Sequence, residues 1–235
     1  FDRALGDVAR AKLDAYLQNK WLGASQSVAP VVQTGVAVPL TNSVLGNLKL
    51  HLDASDVSSL KQNSDGSAPV TTSGQTVGYW TDLSGNGKAA TQGYAERRPT
   101  YVAHAPGFDG SPVLQFDGVN DALTSLLDIN AANIPNLTVM MVCRQVTYKV
   151  NGGLWGHDNG SWDRLQLLNF GFVGNNNISA HNTSLAVGGM NTSAAMVYAA
   201  VLRNGVASGS SVYINGLSDG ATGLPAFTSQ EMDAG

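Results

Sequence analysis

Met196-Val-Tyr-Ala-Ala-Val-Leu-Arg-Asn-Gly205 and, just downstream, Ser211-Val-Tyr-Ile-Asn-Gly216 decide the fold. Each is a run rich in β-branched and aromatic residues that ends on Asn-Gly. That dipeptide tolerates positive φ at the centre of a tight hairpin turn. The two runs predict strands over Met196–Arg203 and Ser211–Ile214 that each turn back on themselves. The same pattern recurs upstream. Candidate strands are Leu48–Leu52, Gly78–Thr81, Val113–Phe116, Thr138–Gln145, Gly153–Trp155, Leu165–Leu168 and Ile178–Ala180. Between them lie turn signals such as Ser84-Gly-Asn-Gly87, Asp117-Gly118 and Asn151-Gly-Gly153. Many short strands at this spacing predict a sandwich or barrel rather than a βαβ sheet.

One stretch breaks the pattern. In Asp7–Trp21, the residues Ala9, Leu13, Tyr16, Leu17 and Trp21 recur at three-to-four spacing and predict a helix with one apolar face. Asp7 stands at the N-cap position and Gly23 at the C-cap. Residues 24–44 mix Ser, Pro, Gly and Val, as a linker ending in a possible first strand would.

Composition narrows the class. The chain's 235 residues suffice for one large β-sandwich core without metals or disulfides. Thirteen Lys and Arg stand against seventeen Asp and Glu, with no basic run, so nucleic acid is not an expected partner. No apolar run approaches the ~20 residues that span a bilayer, so no membrane insertion is expected. Only two of the acids, Glu96 and Glu231, are Glu. The Asp excess, with Gly, Ser, Thr and Asn, is a turn vocabulary. The single cysteine, Cys143, lies in Leu137-Thr-Val-Met-Met-Val-Cys143 and reads as a core thiol. Phe1-Asp-Arg3 has neither an initiator Met nor a leader pattern, which suggests a processed or excised piece.

Several landmarks together resemble the bacterial laminin-G-like jelly rolls of the concanavalin-A-like superfamily. They are Leu48-Lys-Leu-His-Leu-Asp-Ala-Ser-Asp56, Tyr79-Trp-Thr-Asp-Leu-Ser-Gly-Asn-Gly87, Arg98-Pro-Thr-Tyr101, Val113-Leu-Gln-Phe-Asp-Gly-Val-Asn-Asp121 and Val212-Tyr-Ile-Asn-Gly216. The resemblance implies an all-β fold: a two-sheet antiparallel jelly-roll sandwich with one N-terminal α-helix. It also implies an extracellular or cell-surface setting in a bacterium. Phe1–Trp21 resembles the segment with which such modules close. Residues 1–23 therefore read as the tail of a preceding module, 24–44 as a linker, and 45–235 as a jelly roll lacking its last strand. Neighbouring modules or copies of the same protein become the expected partners.

The chemistry-bearing residues point away from catalysis. Hydrolases on this fold use two carboxylates facing across a groove; Glu96 and Glu231 lie far apart in sequence and in no paired pattern. No G-x-S-x-G elbow is present. His51, His104, His157 and His181 show no zinc spacing. Asp82, Asn86, Asp117, Asn120 and Asp121 could ligate calcium if their two turns met, since calcium takes loop oxygens; the plainer reading is that they cap turns. Trp162 is the best candidate for an exposed sugar-stacking platform. His157, Asn159, Asp163 and Arg164 around it supply the polar groups a saccharide needs. Trp80, Trp155 and Trp21 read as core or half-buried. Two functions follow: a non-catalytic adhesive or structural repeat unit of a secreted multi-module protein, or a carbohydrate-binding module of a polysaccharide-degrading enzyme.

Overall fold

A computed structural model describes residues 1, 4–23, 46–128, 134, 136–146, 153–157, 165–169, 176–180, 183–187, 194–203 and 210–218. The chain divides into two compact units: Leu48–Leu127, and Phe1–Asn47 together with Asp128–Gly235. Among the described residues there is one α-helix, and the strand ladders are antiparallel. That agrees with the all-β reading. Neither four-stranded sheet of the second unit nor that of the first closes on itself.

Leu48–Leu127 is built from very short strands: β1 (Leu60–Lys61), β2 (Tyr79–Trp80), β3 (Ala90–Thr91), β4 (Thr100–Val102), β5 (Val113–Gln115) and β6 (Thr124–Ser125). One sheet runs β1-β2-β3-β6, and β4 pairs with β5. Leu60, Val70, Val77 and Tyr101 form the core, with Trp80, Ala103 and Leu114 packed against it. Ladders this short cannot hold a unit together alone. Asp-x-Ser turns supply much of the rest. In Asp53-Ala-Ser55, Asp56-Val-Ser58, Asp65-Gly-Ser67 and Asp82-Leu-Ser84, the carboxylate accepts both the backbone N–H and the hydroxyl of the serine two residues on. These turns account for four of the chain's fifteen Asp.

The expected strand Leu48–Leu52 does not form. Its backbone bonds mostly to side chains: His51 N–H donates to Asp82, and the Leu48 carbonyl accepts from the Asn86 amide. A single backbone bond, from Leu83 N–H to the His51 carbonyl, accompanies them.

In the other unit, α1 (Asp7–Leu22) precedes β7 (Asn136–Cys143), β8 (Gly153–His157), β9 (Leu165–Asn169), β10 (Asn176–Ala180), β11 (Thr183–Val187), β12 (Met196–Arg203), β13 (Ser211–Ile214) and β14 (Leu217–Ser218). The sheets run β14-β13-β12-β7 and β11-β10-β9-β8. β12 carries the centre: seven of its eight residues are buried, all but Arg203. Asn215 and Gly216 both have positive φ, as the β13–β14 hairpin turn requires.

α1 packs against β12 and β7 of its own chain. Two details of the helix differ from expectation. Gly6, in extended conformation, is the N-cap, and Asp7 is the first helical residue. The buried face comprises Arg10, Leu13, Asp14, Trp21 and Leu22, while Tyr16 is 38% exposed. The packed stripe is turned by about one residue because Arg10 and Asp14 are taken up by the β13–β14 hairpin. Ahead of the helix, Phe1 N–H donates to the Thr138 carbonyl at 3.0 Å, and Thr138 N–H donates to the Phe1 carbonyl at 3.1 Å. Leu5 N–H bonds the Thr138 hydroxyl. One residue is thereby paired to the outer side of β7.

Candidate functional site

The five residues expected to ligate calcium fall into two turns. Asp82 is 7% exposed and accepts from His51 N–H at 2.9 Å, Ser84 N–H at 2.9 Å, Lys88 N–H at 3.0 Å and the Ser84 hydroxyl at 2.8 Å. Burial alone would raise its carboxyl; the hydrogen bonds outweigh burial and hold it below the usual carboxylate value. Asn86 donates its side-chain amide to the Leu48 carbonyl at 2.8 Å. In the second turn, Asp117 Oδ1 accepts from Val119, Asn120 and Asp121 N–H at 2.7, 3.2 and 3.3 Å. Asp121 Oδ2 accepts from Asp117 N–H at 2.9 Å. Burial and the neighbouring Asp117 charge raise the Asp121 carboxyl, partly offset by that bond. Among the described residues, no group of three or more His, Cys, Asp or Glu is arranged to hold a metal ion.

Of the expected saccharide loop, Asn159, Trp162, Asp163 and Arg164 lie outside the described residues, and His157 is the last residue of β8. Glu96 sits exposed in the 310 turn Ala95–Arg97, and Glu231 lies outside the described residues. Cys143 ends β7, and desolvation pushes its thiol up to about 12, so it is held as the protonated, weakly nucleophilic form.

A surface that the sequence did not single out lies on Leu48–Leu127. Tyr94 is 64% exposed, and the Arg97 guanidinium lies 5.1 Å from its ring centroid. The turn that presents them is braced from both sides. Arg98 donates Nε to the Gln92 carbonyl at 3.1 Å and Nη2 to the Gly93 carbonyl at 3.0 Å. Tyr94 N–H bonds Gln92 Oε1 at 3.0 Å. Gln92 Nε2 bonds the Ala122 carbonyl at 2.8 Å, and Ala122 N–H bonds the Arg97 carbonyl at 3.0 Å. These last two bonds join the Tyr94 turn to the Asp117–Asp121 turn. The result is a ridge with a braced backbone that carries the exposed Tyr94 ring, the Arg97 guanidinium, two carboxylates and the Asn120 amide. An exposed aromatic ring on a braced turn, with flanking donors and acceptors, can stack on a pyranose ring and bond its hydroxyls. The local signal was Gln92-Gly-Tyr-Ala-Glu-Arg-Arg98, an aromatic in a Gly-containing turn without strand alternation.

Among the described residues, no helix is long and apolar enough to cross a membrane. A scan against protein-family models, a search of the curated proteins and a search of the solved structures each find no match to this chain.

Proposed function

We propose that this chain is a non-catalytic module of a secreted or cell-surface protein, acting in adhesion or as a structural repeat, with glycan as the surface it grips. The observation that carries this reading is the Tyr94–Arg97 ridge, an exposed aromatic on a turn braced by the Gln92 and Arg98 side chains. The jelly-roll architecture belongs to the same proposal; the antiparallel four-stranded sheets and the laminin-G-like landmarks support it. The second reading, a carbohydrate-binding module of a polysaccharide-degrading enzyme, shares the ridge and differs only in the parent protein.

A glycan array of the whole chain, with and without chelator, tests the proposal. Tyr94→Ala is expected to weaken binding about tenfold or more, the scale of an aromatic anchor. Because Tyr94 is mostly exposed, the same substitution should leave stability within about 0.5 kcal/mol of wild type. Wild-type binding that survives Tyr94→Ala undiminished removes the ridge, and an array without hits removes the glycan.

Calcium enters as a stabiliser of the adjoining turn, where a cation would offset the repulsion between Asp117 and Asp121. Asp117→Ala is expected to cost about 1 kcal/mol even in chelator, since three amides lose their acceptor in an exposed turn. Bound calcium adds a further loss seen only when the ion is present. A wild-type melting curve unmoved by calcium would remove the ion and leave the turn.

A further inference from the structure

Arg10 and Asp14 stand one helical turn apart on the packed face of α1, 7% and 3% exposed. The Arg10 guanidinium lies 3.6 Å from the Tyr213 ring centroid, and its Nη1 reaches the Gly216 carbonyl at 3.5 Å. Gln18 Nε2 donates to Asp14 Oδ2. Asp14 Oδ1 and Arg10 Nε are buried without a hydrogen-bond partner. The hairpin closes tightly over this pair: a Cβ at Gly216 would stand 2.7 Å from Asp14 Oδ2. A carboxylate left half-satisfied in such a place is costly when charged and tolerable when neutral.

The groups around it are few. On its own helix are Arg10 and the uncharged Gln18; the hairpin brings the Tyr213 ring, behind Arg10, and the Gly216 backbone. β7 and β12 carry Cys143, Tyr198 and Arg203, but Arg10 alone exerts a charge effect on Asp14. Desolvation raises the carboxyl above its ordinary value, and the Gln18 bond and Arg10 charge offset only part of that.

We propose that Asp14 is a pH-responsive latch for α1: the helix sits firmly on its sheet while Asp14 is neutral and loosens as it becomes charged. A carboxyl that holds its proton more tightly in the docked state contributes stability below its unfolded value, near 3.9, and loses it as pH rises past the docked one. Loosening uncovers part of β12, seven of whose eight residues are otherwise buried, and so makes apolar surface available on the same pH cue.

Hydrogen exchange of the full chain, followed over Asp7–Leu22 and corrected for intrinsic rates, tests this against Asp14→Asn, which keeps the shape and cannot ionise. In wild type, protection of the helix is expected to fall severalfold between pH 4 and pH 8, while Thr100–Gln115 in the other unit holds. Asp14→Asn should keep its helix protection throughout and melt about 2–4 °C above wild type at pH 8, matching it near pH 4. Arg10→Met removes the countercharge and should steepen the wild-type loss. An Asp14→Asn helix that follows the wild-type pH course, or a wild-type helix whose protection ignores pH, overturns the latch.

Discussion

Asp82→Ala is expected to destabilise the Leu48–Leu127 unit by about 3 kcal/mol, measured by denaturant unfolding. One carboxylate there holds three backbone amides and a hydroxyl, and the amides come from separate places: His51 ahead of the core, Ser84 in the turn, and Lys88 leading into β3. Removing it leaves three donors facing an apolar methyl in a site 7% exposed. Each such bond to a charged acceptor contributes about 1.5–3 kcal/mol, and water entering the turn recovers part of the sum. The effect also has a pH signature. The folded carboxyl lies below its unfolded value, so its stabilisation is present above about pH 4 and fades as pH falls through the folded value. The variant should therefore converge on wild type in acid. A loss under 1 kcal/mol at pH 7 would show that the turn holds itself without the carboxylate.

Gly78→Ala is expected to cost a comparable amount, about 3 kcal/mol, for a steric reason. An added Cβ would lie 2.5 Å from the Gln62 carbonyl oxygen, 2.9 Å from Arg98 Nε and 3.0 Å from the Asn63 carbonyl carbon. Two of these three are backbone, so no side-chain rotation relieves them. Gly78 is also fixed by its own bonds, donating to the Lys61 carbonyl and accepting from Gln92 N–H. Shifting it disturbs β1, β2 and the Arg98 brace under the Tyr94 turn together. Gly93 is the control: a Cβ there meets nothing within 4 Å, so Gly93→Ala should leave unfolding unchanged within about 0.5 kcal/mol. Equal effects from the two substitutions would show that packing space does not decide the cost.

Legibility in the sequence followed the length of the element. Met196–Arg203 and Ser211–Ile214 have the expected bounds, and the helix ends one residue beyond its expected end. Long β-branched runs and an Asn-Gly stop leave few alternatives. The two-residue strands β1, β3 and β6 left no periodicity to read, because two residues are too few to show an alternation. Leu48–Leu52 misled for the complementary reason: it has a strand's composition, yet Asp82, Ser84 and Asn86 side chains engage its backbone. Of the candidate site, the Asp and Asn residues were legible as turn formers. The Tyr94 ridge was not, since its bracing comes from Arg98 and from Ala122 in another turn. Arg10 and Asp14 were passed over because charged residues on an amphipathic helix ordinarily face water.

The pairing of Phe1 with Thr138 has a consequence for how the chain is made. These partners are 137 residues apart, so closing them costs about 3 kcal/mol more loop entropy than a short hairpin such as β13–β14. At ordinary synthesis rates, α1 leaves the ribosome on the order of ten seconds before β12 follows it. Through that interval the 16-residue helix lacks the β7 and β12 surface on which it later packs, and alone in water such a helix is marginal. Leu48–Leu127, whose core and turns are drawn from its own eighty residues, can finish meanwhile. A chaperone meeting the nascent chain in that interval would find an apolar target in Leu5, Leu13, Trp21 and Leu22, side chains that end up buried.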